Sequence, residues 1–154
     1  MDSNELKRAL SNVPHFKGVF AKDIFYFDGE IPSCYIINTG LSSTIGEHWI
    51  GLYILNNVIL YFDSLGLSPF NDFYINKLLK SINITNLMYN NIRLQGLMSN
   101  VCGQYCIMFI SRISNGDSFK KFLLRFSPCN YTNNDKKVSI YAKTKFNVKV
   151  KCIY

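Results

Sequence analysis

Histidine is scarce in this chain: two occur in 154 residues, His15 and His48. No two cysteines have Cys-x-x-Cys spacing, so the ligand set of a structural zinc site is missing and no metal is expected. Five cysteines are an odd number, and a chain of this length with 48% hydrophobic residues does not need disulfide staples. The thiols are expected to be reduced, in an intracellular compartment. The opening Met-Asp-Ser-Asn-Glu-Leu-Lys-Arg is charged from the start, unlike a signal peptide, and no apolar run approaches the length of a membrane span. Internal repeats and low-complexity linkers are also lacking. The expectation is a soluble single domain over 1–154, globular because 15% of its residues are aromatic.

What is present is unevenly placed. The net charge is +7, and the segment 130–154 holds Lys136, Lys137, Lys143, Lys145, Lys149 and Lys151 against Asp135 alone. Such a segment suits a polyanion such as nucleic acid, or equally a solvated edge that resists aggregation. From Lys143 onward Phe146, Val148, Val150 and Cys152 alternate with lysines, the pattern of a half-exposed strand. Upstream, Ser3–Leu10 reads as a helix with Leu6 and Leu10 inward, ended by Pro14, and residues 15–32 read as loop with His15 exposed. Ser33–Asn38 is a strand candidate. Ser68-Pro69 opens a helix carrying Phe70, Phe73, Tyr74, Leu78 and Ile82, and Leu87–Leu94 reads as a strand. Asp117 or Ser118 caps a last helix with Phe119, Phe122, Leu123 and Phe126 on one face.

Two stretches carry chemistry. Glu47–Leu55 and Val58–Asp63 are apolar and β-branched and are separated by Asn56-Asn57, a hairpin signature. A two-residue turn puts Leu55 opposite Val58 and makes Asp63 the diagonal neighbour of His48 on one face, within reach of an imidazole–carboxylate hydrogen bond. The second stretch, Gln95–Ile113, runs from a polar loop into an almost wholly apolar helix, with Ser99 or Asn100 as its cap. Cys102 stands in its first turn, where free N–H groups and the helix dipole favour a thiolate, and Gly103 leaves the sulfur uncrowded. Cys102 is a nucleophile on this reading; the alternative is a small buried hydrophobe. Cys106, one turn on, reads as core, and Cys34, Cys129 and Cys152 as inert positions. In chain order His48, Asp63, Gln95 and Cys102 supply a base, its orienting carboxylate, an oxyanion donor and a nucleophile, the parts of an acyl-transfer site.

Gly46-Glu47-His48-Trp49-Ile50, Tyr61-Phe62-Asp63-Ser64-Leu65-Gly66 and Gln95-x6-Cys102-Gly103 resemble the adenovirus-type maturation protease family, the adenains. Pro14-His15-Phe16-Lys17-Gly18 and Ile36-Ile37-Asn38-Thr39 extend the resemblance upstream. It implies the α+β cysteine-protease fold shared with SUMO-deconjugating enzymes: a mixed β-sheet packed on a central nucleophile-bearing helix with flanking helices. It implies His48, Asp63 and Cys102 as triad, Gln95 with the Cys102 N–H as oxyanion hole, and Trp49 beside the histidine in a narrow substrate cleft with Gly103. The substrates would be viral capsid and core precursors cut at small, Gly-containing sites, in the virion and the host-cell nucleus or a viral assembly site in the infected cell, by a monomer. DNA and a virus-derived activating peptide would be cofactors, with the six C-terminal lysines as the DNA-binding set. Asn83–Leu94 has no cysteine, which argues against a disulfide tether to such a peptide. The acid is Asp63 where the family often has Glu, and the chain is short beyond the nucleophile helix. The rival readings are a ubiquitin-like-protein deconjugating protease of the same fold, and an inactive homologue kept as a DNA-binding virion protein. Val101 before Cys102 and the wider Gln-to-Cys gap argue against the first, and the complete set of four residues against the second.

Overall fold

The computed structural model describes residues 1–148. The five strands are β1 (Phe16–Ala21), β2 (Ser33–Asn38), β3 (Trp49–Leu55), β4 (Val58–Phe62) and β5 (Leu87–Tyr89), and they form one sheet in sequence order. β2, β3 and β4 pair antiparallel, while β1 and β5 join the two sides in parallel, so the sheet is mixed. Among the described residues five α-helices surround it: α1 (Ser3–Leu10), α2 (Phe73–Ser81), α3 (Cys102–Ser114), α4 (Phe119–Leu123) and α5 (Tyr131–Phe146).

The two-residue periodicity of the strands sorts their side chains into two apolar layers. Cys34, Ile36, Tyr53, Leu60 and Phe62 point to the face covered by α1, α3, α4 and α5. Tyr35, Ile37, Ile50, Leu52, Ile54, Ile59 and Tyr61 point to the face that α2 covers with Ile75, Leu78 and Leu79. Helix α3 lies at the centre of the first layer and is buried almost all round, as its apolar composition requires. It comes very close to the sheet. A β-carbon on Gly51 would lie 2.5 Å from the Phe109 ring, so the absence of a side chain at Gly51 sets how near α3 lies to β3.

The hairpin forms in the expected register, Leu55 opposite Val58 and Gly51 opposite Phe62. Other local expectations give way to tertiary context. Residues 16–21 form a strand rather than loop, because β2 offers them a parallel partner. The Ser68-Pro69 signal caps a single 3₁₀ turn, Pro69–Asn71. α2 begins only after Asp72, whose carboxylate accepts from the Tyr74 and Ile75 N–H groups. Strand pairing ends at Tyr89, well short of Leu94.

Lys143–Phe146 is not an edge strand but the last turn of α5, closed by Asn147 in the left-handed conformation. The lysine alternation masks a longer helical pattern: Asn134, Asp135, Val138, Ser139 and Ala142 are buried at helical spacing, and Val138 and Ala142 join the α3 layer of the core. Lys136, Lys137, Lys143 and Lys145 are exposed on this helix. Lys149, Lys151, Val150 and Cys152 lie outside the described residues.

Candidate active site

The site forms where the hairpin meets the start of α3. His48 immediately precedes β3, and Asp63 immediately follows β4. Their placement across the ladder brings His48 Nε2 to 2.8 Å from Asp63 Oδ1. Two buried asparagines fix the backbone at both residues. Asn38, at the end of β2, accepts the Gly40 and Glu47 N–H groups at 2.7 and 3.1 Å and closes the loop that delivers His48. Asn90, just past β5, accepts the Asp63 N–H at 3.0 Å and donates to the Asp63 carbonyl at 2.6 Å. Its side chain thereby continues the β4–β5 ladder one step beyond its last backbone pair. The turn after Asp63 needs Gly66, which has φ +69° and no room for a β-carbon against Ile92 and Arg93. Asp63 Oδ1 also accepts the Leu65 N–H at 2.7 Å.

With Nε2 committed to Asp63, Nδ1 is the nitrogen free to serve Cys102, and the imidazole lies near enough to the thiol that each favours the charged form of the other. Cys102 is the first residue of α3, and Val101 before it supplies no side-chain cap, contrary to the expected Ser99 or Asn100. The backbone N–H groups of Trp49 and Gly103 face the sulfur instead. Burial disfavours the thiolate, but the bond and charge of His48 and these two N–H groups prevail, so the Cys102 pKa falls below that of an ordinary thiol. Burial likewise disfavours imidazolium, yet the bonds to Asp63 and Cys102 raise His48 from 6.5 to about 9. Both shifts favour a thiolate paired with an imidazolium. Burial pushes Cys34 up to about 12 and Cys106 well above the ordinary thiol value, which suits packing rather than reaction.

Gln95 is buried behind the nucleophile turn. Its Nε2 donates to the Ser99 carbonyl at 2.7 Å, and its Oε1 accepts from Ser64 Oγ at 2.7 Å. A carbonyl can only accept, so Ser99 fixes which end of the amide it faces. One Nε2 hydrogen is left over. Trp49 is half-buried, and its indole donates to the Met1 carbonyl at 3.2 Å. At Gly103 the space for a side chain is filled by Met1 and Leu6, so this glycine admits the N-terminal segment rather than opening a cleft. Ser64 and Asn38 fall within the family-like motifs, but the sequence pattern assigns no role to them or to Asn90. The detectable signals were a hydroxyl next to the acid and an Asn at a strand end before Thr-Gly. Among the described residues, no group of three or more His, Cys, Asp or Glu side chains could hold a metal ion.

Residues 16–133 match the adenovirus endoprotease family. The chain belongs to that family. The protease of bovine adenovirus C serotype 10 is 34% identical over 129 residues, covering 72% of this chain and 65% of that protein. The protease of bovine adenovirus 2 is 30% identical over 121 residues, covering 70% and 59% respectively. The chain thus spans less than two thirds of the length of these relatives. Among solved structures it is similar to the ASFV pS273R protease, with TM-score 0.49, 21% identity, and 77% of this chain and 45% of that one covered. It is also similar to the SUMO protease Ulp1, with TM-score 0.46, 14% identity, and 90% and 75% covered. The span matched to the adenovirus endoprotease family contains His48, Asp63, Gln95 and Cys102 and stops inside α5.

Proposed function

We propose that this chain is a viral maturation cysteine endopeptidase that cuts capsid and core precursor proteins at small-residue, Gly-containing sites in the virion or infected-cell nucleus. The observation that supports this most strongly is one imidazole hydrogen-bonded to Asp63 and set near Cys102, where each favours the charged form of the other. In this mechanism the Cys102 thiolate attacks the scissile carbonyl carbon. The developing oxyanion is met by the free Gln95 Nε2 hydrogen and the Cys102 N–H. The His48 imidazolium protonates the leaving amine as the C–N bond breaks, leaving a thioester on Cys102. Neutral His48 then takes a proton from water, whose hydroxide attacks the thioester; the C–S bond breaks, the carboxylic product leaves, and Cys102 thiolate with His48 imidazolium is restored. Asp63 holds the imidazole with Nε2 protonated throughout.

We also propose that duplex DNA is a cofactor, bound by Lys136, Lys137, Lys143 and Lys145 on α5. Asn83–Leu94 lacks cysteine, so a virus-derived activating peptide would act without a disulfide. Hydrolysis of a Gly-containing precursor peptide by the wild type and by Cys102→Ala tests the central reading. Loss of cleavage in the variant, with a Gly-terminated peptide aldehyde inhibiting the wild type, is the expected result. Retained cleavage in Cys102→Ala rejects it, and ubiquitin-like substrates cut faster than capsid precursors would instead favour a deconjugating enzyme.

A further inference from the structure

The basic segment contains one acidic residue, Asp135, and the structure buries it. Burying a carboxylate is costly unless it is fully bonded, so its partners indicate its use. Asp135 Oδ2 accepts the Gly96 N–H at 3.2 Å, and Oδ1 takes the Tyr105 hydroxyl of α3 at 2.9 Å. Its neighbour Asn134 donates Nδ2 to the Leu94 carbonyl at 3.0 Å, and the Tyr105 hydroxyl lies 2.9 Å from the same carbonyl. The carboxylate packs directly on the backbone, since a β-carbon on Gly96 would lie 3.0 Å from Oδ2. Leu94 and Gly96 flank Gln95. The first turns of α5 therefore grip the chain immediately before and after the Gln95 side chain, while Tyr105 ties the same grip to the helix that begins at Cys102. Asn134 and Asp135 lie just beyond the span matched to the family, 16–133.

We infer that Asp135, assisted by Asn134, is a positioning residue for Gln95: it fixes the Leu94–Gly96 backbone so that the spare Gln95 amide hydrogen is held towards the reacting carbonyl. This rests on the reading of Gln95 as oxyanion donor. It makes α5 part of the catalytic machinery through a buried carboxylate rather than through its lysines.

The test is Asp135→Asn, which keeps size but leaves one acceptor oxygen for two donors. Three readouts are compared with wild type: amide exchange at Gly96, peptide hydrolysis together with aldehyde affinity, and alkylation of Cys102 by iodoacetamide. Alkylation needs the thiolate but no oxyanion hole. The expected result is faster Gly96 exchange, kcat lower by about 10²-fold with KM nearly unchanged, a matching loss of aldehyde affinity, and alkylation within about twofold of wild type. Tyr105→Phe, which removes only the hydroxyl, should show the same split at smaller amplitude if Asp135→Asn folds poorly. Unchanged Gly96 exchange or unchanged kcat in Asp135→Asn overturns the inference, as does alkylation that falls in step with hydrolysis, which would mark a merely structural role. Faster Gly96 exchange, with a wild type that neither cleaves peptides nor binds the aldehyde, would uphold the grip and overturn the peptidase reading instead.

Discussion

Asp63→Asn separates charge from geometry at this site. Oδ1 of Asp63 accepts two N–H groups, from Leu65 at 2.7 Å and from His48 Nε2 at 2.8 Å. Both partners are donors there, so the asparagine must turn its oxygen, not its NH₂, to that position. The imidazole keeps its orientation and tautomer, and only the negative charge is lost. His48 is raised from 6.5 to about 9, a shift worth on the order of 3 kcal/mol at about 1.4 kcal/mol per unit. Asp63 and Cys102 share that stabilisation. Removing the Asp63 charge should lower the basic limb of the kcat/KM profile by about one unit or more and raise the acidic limb, because a weaker imidazolium supports the thiolate less. The active ion pair exists only between those limbs, so the window narrows from both sides. The optimum rate should fall by about 10–10²-fold, less than where an Asn substitution also reverses the tautomer. The sign for folding follows from the raised pKa. The stability that His48 protonation contributes is fully present below pH 6.5 and is lost as the pH rises through about 9, so the stability deficit of the variant shrinks above that pH. Peptide hydrolysis and iodoacetamide alkylation followed from about pH 5 to 10 would decide. A basic limb that stays near 9 in Asp63→Asn would refute the reasoning.

His48→Ala should raise the pH midpoint of Cys102 alkylation towards that of an ordinary thiol, since His48 is the main group lowering it; an unshifted midpoint would contradict this assignment. Asn90→Ala removes the side-chain partners of both the Asp63 N–H and the Asp63 carbonyl and should cost about 2–4 kcal/mol in urea unfolding, with a larger loss of kcat than of alkylation rate. Gly51→Ala drives a β-carbon against Phe109 and should destabilise by about 1–3 kcal/mol; a neutral effect would mean that α3 is free to move off the sheet. Lys136 and Lys143 lie two turns apart on one face of α5. Replacing both by Ala should reduce the salt slope of duplex-DNA affinity by about two, and an unchanged slope would remove these lysines from the DNA surface.

The sequence alone determined the parts that depend on local spacing. Asn56-Asn57 between two β-branched runs sets the hairpin register, and that register places His48 beside Asp63, because a slip of one residue would send them to opposite faces. The apolar run after Cys102 likewise requires a buried helix with the sulfur at its start. Only the tertiary structure decided the rest. Phe16–Ala21 becomes a strand because β2 lies alongside it. Lys143–Phe146 is helical because Val138 and Ala142 bury against α3, a benefit that a window of alternating lysines cannot reveal. Asn90, Ser64 and Asp135 owe their roles to hydrogen-bond partners up to 39 residues away, Gly96 with Asp135 being the most distant pair of the three. Short-range pattern carries no record of such partners: a buried hydrogen bond depends on which groups the folded core removes from water together.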